Sequence, residues 1–105
     1  MSIKLTPRLM TAVPYIRGGR LVADIGTDHA YLPVYLVQSG VCPSAIASDI
    51  GAGPLDAARR TVTENGLTSE IALRLGDGLA TVKAGEVEDI AIAGMGGETI
   101  VMILE

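Results

Sequence analysis

The sequence predicts an α/β fold, a doubly wound parallel sheet with helices on both faces. Three observations lead there. Short apolar runs alternate with longer segments of helical pattern. The runs are apolar almost throughout rather than at every second residue, as in strands buried on both faces. Glycine and aspartate recur where the runs end, and open α/β sheets bind ligands outside the carboxyl ends of their strands.

The elements follow in order. Thr6-Pro7 reads as an N-cap followed by proline at the first helical position. Leu9, Met10 and Val13 share a face of this helix, and Pro14 ends it. Residues 20–25 (RLVADI) form a first strand, which Gly26 stops. Residues 30–39 form an apolar helix, with Pro33 tolerable only in its first turn and Gly40 as its stop. Residues 45–50 (AIASDI) are a second strand. Gly53-Pro54 opens a helix that runs to Asn65 and ends before Gly66. Residues 71–75 (IALRL) are a third strand, closed by Gly76-Asp77-Gly78, and a short helix covers residues 79–83. Residues 89–93 (DIAIA) are a fourth strand. Gly94-Met95-Gly96-Gly97 is a turn, and residues 98–105 begin another helix.

Composition sets the limits. At 105 residues, 49% apolar and 19% charged, the chain is a single domain with enough apolar surface for a core, and not a disordered polypeptide. No apolar run approaches the roughly 18 residues of a membrane span, and the start lacks the apolar region of a secretory signal. A single cysteine, Cys42, excludes an internal disulfide and a multi-cysteine metal site, so no metal is expected. A cytoplasmic location without membrane attachment is the simplest expectation. The net charge of −4 argues against broad nucleic-acid affinity, but it is uneven. Residues 1–20 hold Lys4, Arg8, Arg17 and Arg20 and no acid, so a local phosphate contact there stays open beside a solvated helix face.

The first strand end, Asp24-Ile25-Gly26-Thr27-Asp28-His29, allows close backbone approach at Gly26, and the following helix start offers N–H groups to an anion. A dinucleotide fingerprint would place glycine at Asp28 and Tyr31, and the acid at Asp28 would repel a pyrophosphate. A ligand with a carboxylate and a cationic part fits better than NAD. Asp49 stands 23 residues after Gly26 at the end of the second strand, where a carboxylate accepts from both ribose hydroxyls. Asp77 can accept from an exocyclic amine such as that of adenine. Turn or cap roles remain the alternative for each aspartate taken singly.

This layout matches class I S-adenosylmethionine-dependent methyltransferases, and the motifs resemble one family of them closely, the TrmK-type tRNA (adenine-N1) methyltransferases. The motifs are Arg8-Leu9, ADIGTDHAYLP from Ala23 to Pro33, Gly53-Pro54 with Ala57 and Arg59, RLGDGL from Arg74 to Leu79, GEV from Gly85 to Val87, and IAGMGG from Ile92 to Gly97. The resemblance implies a Rossmann-like sheet of order 3-2-1-4, S-adenosyl-L-methionine as cofactor, and methyl transfer to N1 of an adenine in tRNA. The fold it implies is cut short after the fourth strand, leaving residues 89–93 as an open edge prone to self-association. Residues 1–19 become an N-terminal helical extension, and residues 1–105 the cofactor-binding part of a longer domain whose C-terminal helical region engages tRNA.

Matching positions then take these roles. Asp24, Ile25, Gly26 and Thr27 shape the methionine pocket, Asp49 and Ile50 hold the ribose side, and Gly76, Asp77 and Gly78 frame the adenine. Ala93, Gly94, Met95 and Gly96 line the side facing the target base. Asp28 and His29 are the candidate catalytic groups, and both also fall within the cofactor's reach. Arg8, Tyr31 and Gly97 are candidate RNA contacts. A non-catalytic nucleotide-binding half-domain, for NAD or another adenosine ligand and needing a partner chain, is the alternative.

Overall fold

The computed structural model describes residues 5, 7–16, 19, 21–76, 89–93 and 99–103, with backbone alone at residues 8, 89–93, 99, 100, 102 and 103. Its elements are α1 (Pro7–Met10), a 3-10 turn (Val13–Tyr15), β1 (Val22–Ile25), α2 (Tyr31–Gln38), β2 (Ala45–Asp49), α3 (Ala52–Glu64), β3 (Ile71–Leu75), β4 (Asp89–Ala93) and β5 (Thr99–Ile103). They form one sheet of order β3-β2-β1-β4-β5. β1 pairs in parallel with β2 on one side and β4 on the other, β2 pairs in parallel with β3, and β5 runs antiparallel to β4.

α2 packs on β1 and β2, and α3 packs on β2 and β3. Period-2 alternation sends Val22, Ala45, Ala47 and Ile71 toward these helices, where Val34, Leu36, Ala58 and Val62 meet them. Small residues at Ala45, Ala47 and Ala58 let the helices approach the sheet closely. Pro33 sits in the first turn of α2, where its missing N–H has no intrahelical partner to lose. α3 ends at Glu64 with Asn65 as its C-cap, and Gly66 takes a left-handed φ of 70° that residues with a Cβ seldom adopt.

Four expectations are corrected. The first helix does not run on to Pro14: α1 stops at Met10, and Pro14, which has no N–H for an α-type bond, instead sits in the 3-10 turn. Residues 98–105 do not start a helix, because Thr99–Ile103 is strand β5. Its run Thr-Ile-Val-Met-Ile is dominated by β-branched side chains, which are stiff at χ1 and suit a strand. β4 is therefore not an open edge, since β5 occupies it, and the basis for self-association through that edge falls away. β3, finally, is not buried on both faces: Ile71 is buried on the face that α3 covers, but Ala72, which points to the opposite face, is exposed, and Leu75 is exposed at the strand's carboxyl end. The expected helix at 79–83 and the turn at 94–97 lie outside the described residues.

Candidate functional site

Three parallel strands end side by side. Register sets Ile25 beside Ser48 and Asp49 beside Leu75, so the segments after β1, β2 and β3 emerge at one edge of the sheet. The loop after β1 begins at Gly26, whose φ of 74° is a left-handed conformation that favours glycine. The N–H groups of Gly26 and Thr27 both donate to the Ser48 carbonyl, at 3.0 and 2.9 Å, which fastens this loop to β2. The buried Thr27 donates its hydroxyl to Asp24 Oδ2 at 2.8 Å. The Ala30 N–H closes the turn on the Thr27 carbonyl at 3.1 Å. Inside that turn Asp28 and Ala30 both take left-handed backbone, with φ of 57° and 61°.

Asp49 gathers the three strand ends. Its Oδ2 accepts the Asp28 N–H at 3.1 Å and its Oδ1 accepts the Gly51 N–H at 3.0 Å. Its main-chain carbonyl accepts the Gly76 N–H at 3.0 Å. Each carboxylate oxygen keeps further acceptor capacity, so the group is oriented without being exhausted. Two aliphatic side chains stand beside it in the open, Ile50 at 72% exposure and Leu75 at 59%. Adjacent exposed aliphatics next to a fixed carboxylate suit a ligand with a flat apolar part and a hydroxylated part.

Asp24 differs in kind. Burial pushes its carboxyl up to about 7, the nearby Asp49 charge adds to that, and the Thr27 hydrogen bond opposes it. Asp24 therefore serves as the buried anchor of the loop rather than as an open anion. Ile25 is buried as well, so only its backbone reaches the ligand side.

At the loop's outer end His29 Nδ1 lies 3.3 Å from Asp28 Oδ2, with both side chains largely exposed. The His29 ring stacks on Tyr31, centroids 5.1 Å apart and planes 11° from parallel. Tyr31 opens α2 with its ring at the surface. A shallow cleft continues from His29 along α3, past Ala57, Arg60, Thr61 and Glu64.

The structure thus brings together Asp24, Gly26, Thr27, Asp28, His29, Asp49, Ile50 and Gly76, with Tyr31 alongside. Asp77, Gly78, Gly94, Met95, Gly96 and Gly97 lie outside the described residues, and for Ala93 and Arg8 the backbone alone is described, in β4 and α1. Sequence reading missed Leu75 and Gly51. Leu75 reads as one more core residue of an apolar run, and its place inside the RLGDGL motif was the available signal. Gly51 betrays itself only in three dimensions: a Cβ there would stand 2.9 Å from Pro54 Cδ and 3.6 Å from Asp49 Oδ1. Among the described residues no group of three His, Cys, Asp or Glu side chains could hold a metal ion, and no helix is long and apolar enough to cross a membrane.

Comparison with known proteins adds the following. A family model described as a methyltransferase domain matches residues 5–105. A tRNA (adenine(22)-N(1))-methyltransferase of Bacillus subtilis (strain 168) is 50% identical over 99% of this chain, which spans 44% of that relative's length. Among solved structures, the tRNA methyltransferase TrmK of B. subtilis superposes with a TM-score of 0.86 at 49% identity, over 90% of this chain and 40% of its own. TrmK of M. capricolum, solved with S-adenosyl-homocysteine, superposes with a TM-score of 0.78 at 42% identity, over 86% of this chain and 41% of its own.

Proposed function

The chain belongs to the methyltransferase-domain family, and we propose that it is the S-adenosylmethionine-binding portion of a tRNA adenine-N1 methyltransferase. Asp49 carries the reading. A carboxylate at the end of β2, already oriented by the Asp28 and Gly51 amides and flanked by exposed Ile50 and Leu75, fits a ribose diol joined to an adenine ring. The backbone at Gly26 takes the amino-acid end of the cofactor, and the buried Asp24–Thr27 pair keeps that loop in place. The likeness to the B. subtilis relative, half of whose residues over the matched length recur here, supports the tRNA substrate for the whole protein.

S-adenosylmethionine, when bound, supplies an electrophilic methyl group on a sulfonium. The residues of the chain have an undemanding task, because adenine N1 already presents a lone pair at neutral pH. They must orient the base and exclude water, and orientation supplies much of the rate in such transfers. Asp28, exposed at the loop's outer end, accepts from the target amino group, and His29 donates toward the cofactor carboxylate or the RNA. Tyr31 offers a ring face to a base, and Arg8 with the basic first twenty residues meets phosphate. A cytoplasmic location, where tRNA is, accords with this activity.

Calorimetry tests the reading. The chain should bind S-adenosylhomocysteine in preference to NAD. Asp49→Ala should weaken that binding by about 2–4 kcal/mol, since removal of the carboxylate strands two hydroxyls. Binding of NAD instead, or an affinity that Asp49→Ala leaves unchanged, overturns it.

A further inference from the structure

We propose that Asp49 is also a positioning residue for the Asp28–His29 pair, a role distinct from any contact it makes with ligand. The loop Gly26–Ala30 is held in two ways. Its first half hangs on backbone groups of β2, through the Gly26 and Thr27 amides on the Ser48 carbonyl, and on the buried Asp24 through Thr27. Its second half holds two left-handed non-glycine residues, Asp28 and Ala30, a conformation that most L-residues avoid. At Asp28 the hydrogen bond that fixes the backbone is the one its amide gives to Asp49 Oδ2. Asp49 is in turn fixed from the far side by the Gly51 amide, at the N-cap of α3.

One carboxylate therefore links the start of α3 to the loop that carries Asp28 and His29 and leads into Tyr31 at the start of α2. The direction of the Asp28 side chain follows from its backbone, and the Asp28–His29 contact and the stack of His29 on Tyr31 follow in sequence. Any ligand hydroxyl that draws on Asp49 Oδ2 shares an acceptor with the Asp28 amide. Occupancy of the carboxylate is thereby felt at His29, on the outer face of the loop.

Nuclear magnetic resonance on the ligand-free chain tests this. In the unmodified protein a scalar coupling across the hydrogen bond is expected from the Asp28 amide nitrogen to the Asp49 carboxyl carbon. In Asp49→Ala the Asp28 amide should exchange at least about tenfold faster, while amides within α2 and β1 keep their rates. The His29 ring resonances should move as its stack on Tyr31 loosens. Asp49→Asn, which keeps one acceptor oxygen, should fall between the two. An Asp28 exchange rate within about twofold of the original in folded Asp49→Ala overturns the proposal. So does absence of the coupling in the unmodified chain, a result that needs no variant to fold. The outcomes separate from those for function: a chain that fails to bind S-adenosylhomocysteine yet shows the coupling keeps the positioning role and loses the cofactor reading.

Discussion

β1 and β3 read alike in sequence, as short apolar runs stopped by glycine, and they meet opposite fates. Every residue of β1 is buried, down to the carboxyl of Asp24. β3 buries Ile71 and leaves Leu75 59% exposed at its other end. The difference is one of place, since β1 lies between β2 and β4 while β3 closes the row. Apolar content decides that a segment becomes a strand; its neighbours decide what its side chains do. The site draws on both outcomes. The buried strand supplies a rigid base for the Gly26 loop, and the edge strand supplies an uncovered apolar surface beside Asp49.

The comparison breaks first on packing. β2, like β1, lies inside the row, and its Ile46 is 2% exposed, so Ile46→Ala removes a buried side chain and leaves a cavity, at a cost of about 2–5 kcal/mol in stability. Leu75→Ala should cost under about 0.5 kcal/mol, as surface substitutions do. Leu75→Ala should instead weaken S-adenosylhomocysteine binding. Denaturant midpoints for the two variants measure the contrast, and equal losses would mean that β3 is as covered as β2.

Asp24 sharpens the contrast with a charge. An unfolded aspartate titrates near 4, whereas burial holds Asp24 at about 7. Between those values the native chain keeps a proton that the unfolded chain has released. The favourable contribution is complete below about pH 4 and is lost as pH rises through about 7. Stability should therefore fall from pH 5 to pH 8 by a few kcal/mol at most. Asp24→Asn, which cannot ionise, should remove most of that slope and unfold at higher denaturant than the original at pH 8. A midpoint for the original chain that does not change with pH would place the Asp24 carboxyl in water.

How much of this was legible in the chain depended on the range of the interaction. The bounds of β3 and β4 follow from local apolar runs and their flanking glycines. The placing of Asp24, Asp28 and Asp49 at strand ends followed from type and spacing. Residues 99–103 did not, because periodicity cannot separate helix from strand in so short an apolar run, and antiparallel pairing with β4 decides it. The clamp of Asp49 on the Asp28 amide spans 21 residues and ends on a backbone atom, which no residue type announces. The raised pKa of Asp24 likewise comes from burial, a property of the folded sheet and not of the DIG motif.

The smallest effect isolates Asp49 from both strands. Gly51 has φ of −93° and ψ of 129°, an extended conformation open to any residue, so its lack of a side chain is not a backbone requirement. Space is the reason: a Cβ would press on the Pro54 ring at 2.9 and 3.2 Å, and that ring cannot rotate away. Gly51→Ala must shift the start of α3, and with it the amide that fixes Asp49 Oδ1, at about 1 kcal/mol in stability. Gly66→Ala is the control, since at φ of 70° it meets left-handed strain with open space around it, for a similar loss far from the carboxylate. Thermal unfolding should rank the two variants close together. Calorimetry with S-adenosylhomocysteine should separate them, with Gly51→Ala weakened several-fold and Gly66→Ala unchanged. Equal affinities would mean that the α3 start does not tune the carboxylate.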